Sequence, residues 1–373
     1  MADNGKNALD YAKMGCDTLI RKFSIEELPP KNRFHYHQGV FLSGMERTYL
    51  LCKEKKYYDY IKGWMDYHID ENGKLKFEDH GLQFDDMMPS IMLFNLYNEL
   101  KDERYKKILD NFSLLVDTWP TNAQGGFWHK YDRPNQMWLD GLYMIGPYCV
   151  MYASYFRKPY YYEIVYQQMN LMRRNMTDTR TGLLYHAWDD SKLMEWSDKN
   201  TGLSPEFWGR AIGWYAVAVM DILDFIPQDY KKRNEFISAG IEIINALVRF
   251  QDEASGLWHQ VVDKGDKEGN WLETSCSSLY TYAIAKAIKK GYLHKSYAKY
   301  IHRAYEGIIK SLKFNGNDLI ISNICIGTGV GDYKFYIERP TVENDLHGMG
   351  AFLLMCTEYY DTCRQIGLQP ILL

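Results

Sequence analysis

Several large classes of protein are excluded by what this chain of 373 residues lacks. None of its apolar runs approaches the roughly 20 residues a helix needs to cross a bilayer, and Met1-Ala2-Asp3-Asn4-Gly5-Lys6 shows no charged-then-apolar leader. Lys and Arg (44) do not outnumber Asp and Glu (48), so neither a basic stripe for nucleic acid nor a polybasic membrane patch is expected. The seven cysteines (Cys16, Cys52, Cys149, Cys276, Cys325, Cys356 and Cys363) are scattered, odd in number and never spaced as Cys-x-x-Cys. That usage suits reduced thiols in a cytoplasmic protein rather than a disulfide framework or a zinc site. There is no phosphate-binding loop and no Gly-x-Ser-x-Gly elbow. Gly327-Thr328-Gly329-Val330-Gly331 has no strand before it and lacks dinucleotide spacing, so it reads as a loop. No Pro-, Gly- or Ser-rich linker divides the chain, and one domain over 1–373 is expected.

What is abundant is aromatic. Phe, Trp and Tyr make up 15% of the residues, with 31 Tyr and 10 Trp. Such rings either stack on the C–H faces of sugars or fill a large helical core.

Helical periodicity dominates, with about a dozen helices and no convincing alternating strand. Apolar helical segments are expected over 7–22, 40–52, 87–99, 141–156, 235–250, 277–290, 295–312 and 347–360. A further helix is expected to open at Ser204-Pro205-Glu206, a capping serine with proline at the first helical position. The connections repeat: Asn72-Gly73-Lys74-Leu75, Gly125-Gly126-Phe127-Trp128-His129-Lys130, Thr181-Gly182-Leu183-Leu184-Tyr185-His186, Ser255-Gly256-Leu257-Trp258-His259, and a degenerate copy at Asn317-Asp318-Leu319. Each unit reads helix, glycine turn, short extended segment, helix. Six such hairpins would close into an all-α (α/α)6 barrel; the rival, an open solenoid, has shorter repeats and less aromatic loops. Closure would gather His129, His186, His259 and Asp140 around one funnel.

Asp140, in Gln136-Met137-Trp138-Leu139-Asp140-Gly141, is the leading candidate for chemistry. A carboxylate between tryptophan and glycine before an apolar helix is expected to be desolvated, with its pKa raised toward that of a general acid; the alternative is a helix cap. Asp85-Asp86 occupies the matching position one repeat earlier, and paired carboxylates are the usual apparatus for cleaving glycosides. Arg210, between Trp208 and Trp214, needs an anionic partner, either internal or a substrate carboxylate. The two tryptophans stack on a sugar ring or simply pack. His129, His186 and His259 lie in different repeats without helix-borne zinc spacing, so hydrogen bonding to sugar hydroxyls is favoured over a metal. His347 opens the last inner helix and would face the same mouth.

These residues together resemble a known family. The matching stretches are Arg33-Phe34-His35-Tyr36-His37-Gln38-Gly39, Gly125–Lys130, Gln136–Tyr143, Tyr185-His186-Ala187-Trp188-Asp189, Ser204–Trp208, Arg210 with Gly213-Trp214-Tyr215, and Asn344-Asp345-Leu346-His347-Gly348. They are similar to the unsaturated rhamnogalacturonyl hydrolases of glycoside hydrolase family 105, relatives of the unsaturated glucuronyl hydrolases. The resemblance implies an (α/α)6 barrel in a bacterial cytoplasmic enzyme that hydrates the C4=C5 bond of a terminal 4,5-unsaturated galacturonate. By the same resemblance Asp140 is the general acid/base and Asp85, chosen over Asp86 by counting back from the helix, the second carboxylate. Tyr36, His129, Lys130, His186, Trp208, Arg210, Trp214 and His347 would bind substrate. The implied partner is an unsaturated acidic oligosaccharide, the implied assembly a monomer or weak homodimer, and no metal or organic cofactor is required. An unsaturated glucuronyl hydrolase, a histidine-dependent sugar epimerase and a non-catalytic sugar-binding barrel are the alternatives.

Overall fold

The computed structural model describes residues 5–77 and 83–368. In chain order the helices are α1 (Ala8–Lys22), α2 (Tyr36–Cys52), α3 (Lys55–His68), α4 (Phe84–Met87), α5 (Ile91–Leu100), α6 (Glu103–Thr118), α7 (Asp140–Phe156), α8 (Tyr160–Met176), α9 (Gly209–Ile222), α10 (Arg233–Leu247), α11 (Thr274–Lys289), α12 (Ala298–Ser311), α13 (Tyr333–Ile337) and α14 (Leu346–Ile366). The inner ring runs α2, α4–α5, α7, α9, α11, α14, each packed on the next, and α14 closes on α2. Outside it lie α3 on α2, α6 on α5, α8 on α7, α10 on α9, α12 on α11 and α1 on α14. This is the expected (α/α)6 barrel.

Composition explains which helices are inside. In α9 and α11 nearly every residue is buried, and in α7 most are, whereas α6 buries only one stripe (Tyr105, Ile108, Leu109, Phe112, Val116) and leaves its opposite face polar. The closing seam depends on glycine: a Cβ at Gly350 on α14 would fall 2.5 Å from the Val40 carbonyl on α2, so only glycine lets the two backbones approach. Pro89 cannot continue α4, and Met88–Ser90 forms a 3-10 turn before α5 resumes. The helix expected over 87–99 is therefore broken at its start.

The two kinds of connection differ. Inner helices pass to outer ones by tight reversals, with Lys53, Lys101 and Arg157 in the left-handed region at the C-termini of α2, α5 and α7. Outer helices return to inner ones through the long repeated loops. Gly73, Gly125, Gly182 and Gly256 sit at φ between 72° and 83°. A side chain three or four residues earlier (Asp70, Asn122, Asp178, Asp252) accepts backbone N–H bonds across each turn. Short antiparallel pairs follow, such as β1 (Gln136–Trp138) with β2 (Ala187–Asp189); β3 (Lys313–Asn315) with β4 (Asp318–Ile320) replaces the degenerate fifth repeat.

One expected helix start moves. Ser204-Pro205 does not open α9, which begins at Gly209. Residues 204–208 stay extended because they are paired on both sides: Ser204 N–H donates to the Ala187 carbonyl, His186 N–H to the Glu206 carbonyl, and Trp208 bridges to Val261. Tertiary pairing overrides the local capping signal.

Candidate active site

Every inner helix begins at the same end of the barrel. Tyr36 is the first residue of α2, Asp85 the second of α4, Asp140 the first of α7, Arg210 the second of α9, Thr274 the first of α11 and His347 the second of α14. The N-terminal halves of the helix dipoles therefore converge there, and their positive potential favours an anionic ligand. At this end lies a cavity of about 340 Å³, lined among others by Tyr36, His37, Asp85, His129, Lys130, Arg133, Trp138, Asp140 and the Gly327-Thr328-Gly329 loop. A pocket of that size holds one sugar ring and part of the next.

The two carboxylates of the cavity have different companions. Asp85 Oδ2 lies 2.7 Å from Lys130 Nζ and 3.7 Å from His35 Nε2. Burial pushes the Asp85 carboxyl up, but His35 and Lys130 outweigh it and hold the group far below the usual carboxylate range. Asp85 is a fixed anion. Asp86 points away: its Oδ2 accepts the Gln83 N–H at 2.9 Å, capping α4, and burial raises its carboxyl to about 6. The cavity carboxylate is thus Asp85.

Asp140 meets imidazoles instead. Its Oδ2 is 3.2 Å from His186 Nε2, yet the two are not aligned as a hydrogen bond, and both atoms are buried without a hydrogen-bond partner. His129 stacks on Trp138 (centroids 4.1 Å apart, 11° between planes), its Nδ1 also unpartnered. Burial drives the Asp140 carboxyl upward; the nearby His186 and His129 rings more than offset this and leave it below its ordinary value. This corrects the expectation of a raised pKa: the sequence shows the apolar neighbours of Asp140 but not the imidazoles facing it. His129 is itself held near 4 by burial.

Several expected substrate-binding residues stand behind the wall. Arg210, 2% exposed, donates to the carbonyls of Cys325 (2.6 Å) and Ile326 (2.7 Å) and lies over the Trp208 ring. Its partner is internal, and it anchors the strand leading to the Gly327 loop. Trp208 donates Nε1–H to Gln260 and stacks on Tyr336. Trp214 is 1% exposed and stacked on Tyr143 inside the barrel, so it packs rather than faces a sugar. His259 does not join the funnel; it faces the Gly265 turn, with Asp252 and Asp266 nearby. His347 is buried, with Nε2 3.1 Å from the Cys325 carbonyl, and stands behind His37 and Tyr36, whose rings it contacts.

Other residues of the site were not recognisable from the sequence as cavity residues. The Gly327–Gly329 loop becomes a cavity wall, clasped by Arg339, which donates to the Gly327 carbonyl and the Thr328 hydroxyl. Tyr336 reaches His186 from a distant part of the chain. His35 and His37, two residues apart before α2, were visible as a motif but not as cavity residues; their Nδ1 atoms are 2.9 Å apart. His37, Asp345 and His347 offer donor atoms within 4.8 Å of one another. The Arg210 cation and the starts of α2 and α14 oppose a second positive charge there.

A family model described as Glycosyl Hydrolase Family 88 matches residues 11–363. The chain belongs to that family. It is a glycoside hydrolase. Among solved structures it is similar to a glycoside hydrolase from family 105 of C. acetobutylicum ATCC 824, at 35% identity and TM-score 0.89 over 94% of this chain and 99% of that one. It is 27% identical, over 88% of this chain and 90% of the relative, to the unsaturated rhamnogalacturonyl hydrolase YesR of Bacillus subtilis strain 168. The unsaturated glucuronyl hydrolase of Bacillus sp. GL1 shares the fold, with TM-score 0.68 at 13% identity over 93% of this chain and 94% of that one. Among the described residues no helix is long and apolar enough to cross a membrane.

Proposed function

We propose that this family 88 hydrolase acts on short acidic oligosaccharides that end in a 4,5-unsaturated galacturonate, hydrating the C4=C5 bond. The observation that carries the reading is the contrast between the two cavity carboxylates. Asp85 is pinned as an anion by Lys130, while Asp140 is ion-paired with no lysine or arginine among the described residues and meets the His186 and His129 rings. One group is suited to stabilising positive charge, the other to moving a proton.

The steps follow from that division. A substrate carboxylate is drawn in by the helix N-termini and the cationic Lys130 and Arg133. Its negative charge, brought close to Asp140, raises that carboxyl and favours the protonated form needed for catalysis. The Asp140 carboxylic acid then transfers its proton to C4, and the C=C π electrons form the new C–H bond. Positive charge develops at C5 and the ring oxygen, where the fixed Asp85 anion offsets it. Water adds to C5 and gives its proton to the Asp140 carboxylate. The hemiketal opens, C1 releases the neighbouring sugar, and an α-keto uronate and a rhamnose-ended product remain.

YesR's name supports rhamnose as the neighbouring sugar. The test follows the ultraviolet absorbance of the conjugated double bond in lyase-generated unsaturated rhamnogalacturonan disaccharide. Loss of absorbance with release of rhamnose is expected. Persistence with ample enzyme sinks the proposal, and loss only with unsaturated glycosaminoglycan disaccharides assigns the glucuronyl specificity instead.

A further inference from the structure

The His186 ring is fully buried, so the positions of its protons are decided by its neighbours. Its Nδ1 is 2.7 Å from the hydroxyl of Tyr336, on α13, a segment 150 residues further along the chain. Its Nε2 faces Asp140. Either nitrogen of a neutral imidazole can carry the hydrogen, and the choice determines what Asp140 meets: an N–H or a lone pair.

The surroundings of Tyr336 settle that choice. The Gly331 N–H donates to the Tyr336 hydroxyl oxygen at 3.3 Å. The hydroxyl's own hydrogen then needs an acceptor, and Nδ1 of His186 is the acceptor within reach. If His186 carried its hydrogen on Nδ1, two N–H groups would point at one oxygen and a buried O–H would be left without an acceptor, at a cost of about 1–3 kcal/mol. Tyr336 cannot turn away. Its ring is 0% exposed and stacked on Trp208, and its backbone carbonyl accepts from Gln260 Nε2 at 3.2 Å.

We infer that Tyr336 is a positioning residue: its hydroxyl donates to His186 Nδ1 and so keeps the His186 hydrogen on Nε2, facing Asp140. An Nε2–H supports the Asp140 carboxylate after the proton has gone to C4; the opposite tautomer would set a lone pair against that charge. The mechanistic consequence rests on the role proposed for Asp140, but the tautomer itself does not. Tyr336 also lies on the segment that supplies the Gly327–Gly329 cavity wall, so the wall and the proton-handling pair are held by one piece of chain.

The test reads the tautomer directly. Protein labelled with 15N-histidine is examined by long-range 15N–1H correlation at alkaline pH, where imidazoles are neutral, with the His186 signals assigned by their loss in His186→Gln. In the wild type, His186 is expected with hydrogen on Nε2 and a bare Nδ1; hydrogen on Nδ1 overturns the inference. In Tyr336→Phe, which keeps the ring packing, the Nδ1 resonance is expected to move toward that of an imidazole whose tautomers are mixed. On unsaturated disaccharide, kcat of that variant is expected to fall about tenfold, the equivalent of one hydrogen bond, with KM unchanged. A wild-type Nδ1 resonance and wild-type kcat in Tyr336→Phe would also overturn it. Failure of the enzyme on every unsaturated disaccharide would count against the proposed reaction and leave the tautomer result standing on its own.

Discussion

Two groups of buried charge lie inside the ring of inner helices, at its two ends. Toward the C-terminal ends, Arg47 on α2 lies 3.2 Å from Asp221 and 3.7 Å from Glu358. Lys289 meets Glu358 at 2.5 Å and Asp361 at 2.9 Å, and Lys286 meets Asp224 at 2.6 Å and also pairs with Asp221. Each of those carboxylates faces a permanent cation. At the N-terminal end, Asp140 makes no ion pair with a lysine or arginine among the described residues; it meets His186, whose Nε2 is 3.2 Å from its Oδ2, and the His129 ring. Carboxylates paired with permanent cations hold helices in register. A carboxylate set against imidazoles, with no such ion pair, can exchange a proton with a substrate. The same fold does both by setting lysine and arginine against one group of carboxylates and histidine against Asp140.

The sharpest way to break the contrast is Asp140→Asn. It is expected to lower kcat by about 10³-fold, the upper part of the range for a general acid, while Tm stays within about 3 °C of the wild type because no ion pair with a permanent cation is lost. Kinetics on unsaturated disaccharide together with calorimetry check both halves. A variant that kept most of its rate would take Asp140 out of the proton transfer.

Glu358→Gln is the converse at the paired end. It leaves Arg47 and Lys289 short of a buried anion, and stability should drop by about 3 kcal/mol, read as a lower denaturant midpoint. The kcat of the folded fraction should not change. A large loss of kcat without loss of stability would mean that the two ends are not separate in function.

Lys130→Met probes the permanent cation that pairs with Asp85 at the mouth. Asp85 has a folded-state pKa below its unfolded value, so its stabilising contribution is complete above the unfolded carboxylate range and is lost as pH falls below about 4. Without Lys130 the buried anion is less well compensated. The Tm deficit of the variant should therefore be complete near pH 6 and shrink as pH falls below about 4, because the less compensated Asp85 of the variant takes up its proton before that of the wild type. Lys130 is about a third exposed, so a deficit of about 1 kcal/mol at pH 6 is expected after solvent screening. A deficit that grew toward low pH would contradict the pairing.

The smallest effect is expected at Trp214. Because it packs on Tyr143, Trp214→Phe should cost about 1 kcal/mol of stability and leave KM unaltered. A large rise in KM would return Trp214 to the substrate side.

Much of this was legible in the chain. The 3.6-residue periodicity separates the apolar inner helices from the striped outer ones, and the recurring glycine turn signals the hairpin repeat, because left-handed backbone after an Asp or Asn is a local property. Asp140 and Asp85 were recognisable as matching helix starts. Pro89, which breaks the helix expected over 87–99, is a local signal; the other failures are non-local. Ser204-Pro205 has the right residues for a helix start, but strands on either side claim its backbone. Trp214 and Arg210 sit in a motif that points to substrate, yet the neighbours that occupy them, Tyr143 and the carbonyls of Cys325 and Ile326, come from other hairpins.

The amino-acid pattern alone thus determines a barrel of helical hairpins with a carboxylate at the start of each of two neighbouring inner helices, since periodicity and turn chemistry act within a few residues. Only the tertiary structure decides that one carboxylate meets lysine and the other histidine, and that a tyrosine 150 residues away governs the histidine's hydrogen. Electrostatic environment falls off over ångströms of space, and closing the ring brings together residues that the chain keeps far apart.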